Sequence, residues 1–195
     1  MTKMFKSITD SEVIRLLNGG AIGILPTDTV YGIVAVASNQ KAVGALYAAK
    51  HREGKPGTLI AANITQLQTL GIAEDLLVSG TAFWPGPVSV VLSVKKDLSY
   101  LHQGQDSLAV RVTADKKLRK LLEQTGPLLT SSANMPNEPT AKDIQEAEHY
   151  FGNSVDFYVD GGTIEGNMPS TVLRLEADGT KTVLRRGAIP IDNKE

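Results

Sequence analysis

The sequence predicts a single α/β domain: a twisted, mixed β-sheet with flanking helices. Three observations predict it. Short apolar runs alternate with segments of helical periodicity along most of the chain. The runs do not follow a regular strand–helix–strand repeat, and the late ones, 155–159, 170–175 and 181–184, come close together across short turns. The chain has 195 residues, 42% hydrophobic and 21% charged, and a chain of this length buries roughly 70% of its unfolded surface, enough for one core.

Taken in order, Thr9-Asp10-Ser11 supplies helix caps, Ile14, Leu16 and Leu17 give the apolar spacing, and Asn18-Gly19-Gly20 stops that first helix. Residues 21–25 form an apolar strand ended by Pro26, and 33–37 form a second. Between them lies Pro26-Thr27-Asp28-Thr29-Val30-Tyr31-Gly32, a turn that holds two threonine hydroxyls, a carboxylate and a phenol on stiff backbone. A helix over 40–50 places Val43, Leu46 and Tyr47 on one face, then opens into the basic loop 50–57. Residues 58–62 are a strand; 64–70 and 74–83 are helices, the second ended by Trp84-Pro85-Gly86-Pro87. Strands follow at 88–94 and 107–112. Asp115 caps a helix through Glu123, which Gly126-Pro127 breaks. Leu128-Leu129 is a short strand leading into Thr130-Ser131-Ser132-Ala133-Asn134, and 141–151 is the last helix. One domain is expected over 1–195, with a core over about 7–189 and a loose tail at 192–195.

Composition excludes several classes. There are 20 Lys+Arg against 21 Asp+Glu, so any basic site is local rather than global. The absence of cysteine removes disulfides, thiolate nucleophiles and thiolate metal sites, and fits a reducing compartment. His51, His102 and His149 lack ligand spacing, so no protein-caged metal is expected. The N-terminal residues lack the apolar core of a signal peptide and no window reaches transmembrane length, which points to the cytoplasm and away from membranes.

The candidate chemistry is local. Lys50 and Arg52 share a Gly/Pro loop; an extended backbone would point both the same way, a point charge and a rigid fork suited to phosphate. Arg111 lies among Leu108, Ala109, Val110 and Val112, so it needs a partner, either an internal carboxylate or a bound anion. Thr130 to Asn134 offers hydroxyls and an amide after a strand, Ser170-Thr171 opens another, and Arg185-Arg186-Gly187 ends the last. Open α/β sheets hold ligands at such strand ends. The phosphate loops of common nucleotide binders and the Gly-x-Ser-x-Gly elbow are absent. From the residues alone, the reading stops at an anion-binding α/β domain.

The PTDTVYG segment, Lys50-x-Arg52, Phe83-Trp84-Pro85-Gly86-Pro87, Val110-Arg111-Val112, Ser132-Ala133-Asn134, Ser170-Thr171-Val172 and Leu184-Arg185-Arg186-Gly187-Ala188-Ile189 occur in that order. This set resembles the YrdC/TsaC family of threonylcarbamoyl-AMP synthases, in its short single-domain form. The resemblance implies that L-threonine, bicarbonate or CO2, and ATP yield threonylcarbamoyl-AMP and pyrophosphate. The product is then passed to a tRNA threonylcarbamoyl-transferase complex, a TsaD-type enzyme and its helpers, which modifies adenosine 37. It implies that Thr29, Arg111, Thr130 and Ser170 bind threonine. Lys50, Arg52, Ser107, Ser132, Asn134, Thr140 and Arg185 would hold ATP, with Lys50 and Arg52 the catalytic pair. Mg²⁺ would arrive with ATP rather than in a protein cage, and any tRNA contact would be weak. Glu53 stands where the family pattern usually has proline, Met135-Pro136-Asn137 where Ser-Gly is frequent, and Arg186 where proline is frequent. Two other expectations remain: an RNA-binding module of this fold without adenylation, and a paralogue adenylating another carbamate.

Overall fold

The computed structural model describes residues 2–94, 96–164, 166, 168–175 and 180–191; the expected tail at 192–195 lies outside them. The strands are β1 (Lys3–Phe5), β2 (Gly23–Pro26), β3 (Tyr31–Val36), β4 (Thr58–Ala61), β5 (Val88–Ser93), β6 (Ser107–Val112), β7 (Leu128–Ser132), β8 (Phe157–Val159), β9 (Thr171–Leu175) and β10 (Lys181–Arg185). The helices are α1 (Ser11–Asn18), α2 (Gln40–Ala49), α3 (Ile64–Thr69), α4 (Glu74–Val78), α5 (Ser99–His102), α6 (Lys116–Thr125) and α7 (Ile144–Phe151). All ten strands join one sheet in the order β1-β8-β2-β3-β7-β4-β6-β5-β9-β10. Parallel pairs (β1/β8, β2/β8, β4/β6, β5/β9) mix with antiparallel ones, as expected.

The central strands carry continuous buried runs, 31–36 in β3 and 59–61 in β4, because both faces are covered. Alternate residues divide between two cores: Ile24 and Ile33 join the one under α2, α5 and α7, while Leu25 and Val34 join the one under α1 and α6. Asp10, Asn39, Asn63, Asp115 and Asp143 each cap a helix by accepting a backbone N–H two or three residues on. Among the described residues no helix is long and apolar enough to cross a membrane.

The departures from expectation have local causes. The helix expected over 74–83 ends at Val78, because Gly80, Thr81 and Phe83 take their bonds from Leu77, Val78 and Gly80, three residues back, in tight turns. The helix expected from 141 starts at Ile144, since Ala141 N–H is tied to the Ala133 carbonyl and Asp143 forms the cap. The strand expected at Leu128-Leu129 runs on to Ser132, paired with β3 on one side. Thr130, Ser131 and Ser132 are therefore strand residues rather than loop. β1 and α5 were not expected at all.

Candidate active site

The β2–β3 turn, the loop after α2, β6, β7, the segment before β9 and the end of β10 enclose a cleft with about 460 Å³ of empty space, its mouth included. Thr29, Arg52, Arg111, Thr130, Ser132, Ser170 and Arg185 all line it. Arg52 and Ser132 also border an adjoining hollow with Lys50 and Asn134. The two hollows adjoin at Arg52 and Ser132, the first a hydroxyl-lined end that also holds Arg111 and Arg185, the second a cationic end with Lys50 and Lys55.

Arg111, 2% exposed, anchors the hydroxyl-lined end. Its Nη2 donates to Asp28 Oδ1 at 2.7 Å and its Nη1 to Ser89 Oγ at 3.3 Å. Thr113 Oγ1 donates to the other Asp28 oxygen at 3.0 Å. The partner demanded by a buried Arg111 is therefore an internal carboxylate, supplied by the opening motif. Arg111 Nε is buried with no hydrogen-bond partner among the described residues. Ser89 Oγ lies 2.9 Å from Ser170 Oγ. Arg185 Nη2 donates to that Ser170 hydroxyl at 3.0 Å and to the Ser170 carbonyl at 2.9 Å. One chain of bonds thus runs from Asp28 to Arg185.

Two glycines permit this packing. A side chain at Gly32 would meet Thr130 Oγ1 at 2.6 Å, and one at Gly187 would meet the Pro169 carbonyl at 2.1 Å. The absence of Cβ lets Thr130 and Ser170 approach the backbone behind them.

Lys50 and Arg52 reach the cationic end by a route other than the expected extended backbone. Lys50 is the C-cap of α2 in helical geometry, and His51 takes a left-handed φ of 49°. The bend turns both side chains inward. Lys50 Nζ donates to the Asn134 carbonyl and, at 2.6 Å, to Asn134 Oδ1, which also accepts from Ser132 Oγ at 2.7 Å. Arg52 donates to the Lys55 carbonyl through Nε, to Ser131 Oγ at 3.0 Å and to the Pro56 carbonyl at 2.9 Å. Burial first, and then the Arg52 charge, push Lys50 down to about 8. Burial likewise lowers Arg52. At the open rim, desolvation and then the charges of Arg111 and Arg52 lower Arg185. Cations whose charged forms burial disfavours, with the Arg52 charge adding to the effect on Lys50 and Arg185, make a site for a polyanion.

A family model described as Telomere recombination (Sua5/YciO/YrdC) matches residues 15–187. The chain belongs to this family. The threonylcarbamoyl-AMP synthase of Idiomarina loihiensis is 36% identical over 155 residues, 76% of this chain and 83% of that protein. The namesake from Photobacterium profundum is 35% identical over 185 residues, 90% of this chain and 97% of its own. The crystal structure of P. abyssi Sua5 complexed with L-threonine superimposes with a TM-score of 0.82 at 28% identity; the match covers 97% of this chain and 58% of that longer protein.

Two residues assigned from the resemblance stand apart from this Sua5/YciO/YrdC cleft. Ser107 opens β6, four residues before Arg111 and so about 13 Å along the strand, where it lines a separate depression with Arg174 and Gln105. Thr140 borders neither hollow, although the Ala141–Ala133 backbone bond returns it beside the Ser-Ala-Asn segment. The family departures Glu53, Pro136 and Asn137 do border the cationic hollow, while Arg186 is exposed. Reading the sequence missed Thr27, Gly57, Thr58, Ser131 and Pro169 as lining residues. Thr27 was visible as a hydroxyl of the opening turn, Gly57 as part of the basic loop and Ser131 as part of the hydroxyl cluster; Thr58 and Pro169 were not singled out.

Proposed function

We propose that this protein is an L-threonylcarbamoyladenylate synthase. The observation that carries the proposal is the pair of adjoining hollows in which Thr29, Thr130, Ser170 and the Arg111 guanidinium lie beside Lys50, Arg52 and Arg185. In this reading the threonine carboxylate meets Arg111, and Thr29, Thr130 and Ser170 surround the side chain. Carboxylation of the amine by bicarbonate releases water and gives the threonine carbamate. Its carboxylate oxygen attacks the α-phosphorus of ATP, the bond to the β-phosphate oxygen breaks, and pyrophosphate leaves. The nucleophile belongs to the substrate, so the chain's task is positioning and charge stabilisation. Lys50, Arg52 and Arg185, with Ser132 and Asn134 behind them, hold the phosphates; Thr140 stands beside the Ser-Ala-Asn segment, whereas Ser107 lines a separate depression.

Mg²⁺ fits as part of the nucleotide. Asp28 is engaged by Arg111 and Thr113, and no group of three metal-ligating side chains gathers among the described residues. The ion would then sit on phosphate oxygens and water, neutralising charge on the leaving pyrophosphate. The proposal includes a cytoplasmic location and transfer of the product to a TsaD-type enzyme acting on tRNA position 37, with at most weak tRNA contact by this chain.

Incubation with ATP, Mg²⁺, L-threonine and bicarbonate, followed by mass analysis, tests the reading. Threonylcarbamoyl-AMP and pyrophosphate are expected only with all components and not after chelation by EDTA. Tight RNA binding without turnover would replace the reading with the RNA-binding module. Turnover with a different amino acid alone would replace it with the paralogue.

A further inference from the structure

The short helix α5 lies between β5 and β6, and nothing in the reaction above uses it. It is nevertheless firmly seated. Leu101 and His102 are 0% and 1% exposed, and Tyr100 donates its hydroxyl to the Ala37 carbonyl at 2.9 Å. Its C-cap, Gln103, adopts a left-handed φ of 49° and ψ of 41°, an uncommon conformation for a residue with a side chain. That conformation directs the side chain towards the loop after α2. Gln103 Oε1 accepts from the Gly54 N–H at 2.7 Å. Close by, Tyr47 donates its hydroxyl to the Leu101 carbonyl at 2.5 Å and accepts from the Gly57 N–H at 3.1 Å. The α5 platform is thus tied to the loop at Gly54, and through Tyr47 at Gly57. Between the two ties Arg52 grips its own loop at Lys55 and Pro56, and Gln103, Tyr47 and Arg52 wall one shared depression.

We propose that Gln103 is a positioning residue for ATP: by holding the Gly54 amide it fixes the loop that aims Arg52 at the phosphates. This rests on the adenylation reading. Gly54 is exposed, so its amide would find water in the absence of Gln103 and the loop would stay folded. What would be lost is the fixed placement of Arg52, since a small misplacement of a phosphate clamp weakens binding and catalysis without unfolding the protein. Gly54 does not line the hydroxyl-lined cleft, although Arg52 borders both hollows, so the loss should fall more heavily on ATP than on threonine.

The test uses Gln103→Met, which keeps the length and removes the acceptor, and Gln103→Glu, which returns an acceptor oxygen to the same place. With Gln103→Met, the Kd for Mg·ATP by calorimetry and KM for ATP should rise about 3- to 10-fold, the weight of one lost hydrogen bond. KM for threonine should rise less than KM for ATP, Tm should stay near wild type, amide exchange over 50–57 should quicken, and Gln103→Glu should return that exchange towards the wild-type rate. The proposal is overturned by unchanged ATP affinity in Gln103→Met, by equal losses for both substrates with a lowered Tm, or by amide exchange over 50–57 that is no slower in Gln103→Glu than in Gln103→Met. Should the wild-type protein make no adenylate, the functional reading fails by itself, and Mg·ATP binding and Gly54 exchange still decide the role of Gln103.

Discussion

A buried guanidinium on β6 needs a fixed counter-charge, and Asp28 provides it from 83 residues away in the chain. Arg52 is held differently, by neutral carbonyls and a serine hydroxyl, so its full positive charge stays available to phosphate. Arg52→Lys would keep the charge and lose both the planar fork and the grip on the loop. Turnover efficiency should fall roughly 10- to 150-fold, as expected for one charged hydrogen bond, while Tm changes little; unchanged turnover would remove Arg52 from the site. Lys50 makes a prediction in pH. Its pKa falls from an ordinary 10.5 to about 8 on folding. Between those values the unfolded chain holds more protons than the native one, so this residue's contribution makes stability rise with pH, and below about 8 its buried charge opposes folding in full. Bound phosphate favours the ammonium and restores the higher pKa. ATP binding at pH 8.5 should therefore take up protons, measurable by calorimetry in two buffers of different ionisation enthalpy, and ATP affinity should weaken as pH rises above about 8. Equal heats in the two buffers would show that Lys50 does not meet the phosphates.

At the scale of elements, the β2–β3 hairpin was legible because its apolar runs flank a Pro- and Gly-bounded polar turn, and the structure pairs Gly23 to Val34 through Pro26 to Tyr31. Helices with an Asp or Asn cap and a clear stop were also legible. β1 and α5 were not: three and four residues are too few for periodicity, and each exists because of a distant partner, β8 for the first and the core around Leu101 for the second. The reach of β7 to Ser132 was hidden for a related reason, since serine and threonine disfavour neither strand nor turn and pairing with β3 decides. The contact between β9 and the turn after β10 offers a direct test. In Gly187→Ala the new methyl would collide with backbone atoms of Pro169, Ser170 and Thr171, all within 2.5 Å. Such overpacking costs about 1–3 kcal/mol, a fall in Tm of roughly 2–12 °C for a chain of this size. The displaced Ser170 should also raise KM for threonine more than KM for ATP. A variant with wild-type Tm and threonine KM would show that the segment before β9 yields freely.

Across the whole molecule, a formal charge of −1 coexists with a cleft lined by Lys50, Arg52, Arg111 and Arg185. Total charge hid the site, and only strand order could gather those residues. Ser107 shows the same limit in reverse: it lies near a matched motif, yet strand direction places it in a separate depression. The sheet order has a consequence for how the protein is made. β1 pairs with β8 at Lys3 and Phe157, and the cleft closes only when Arg185 reaches Ser170. On a ribosome, the first strand emerges long before its partner exists, and the hairpin of the opening motif is complete while most of the sheet is still untranslated. Ligand competence is therefore the last property the nascent chain acquires, and binding of Mg·ATP would report completed folding rather than the presence of any one motif.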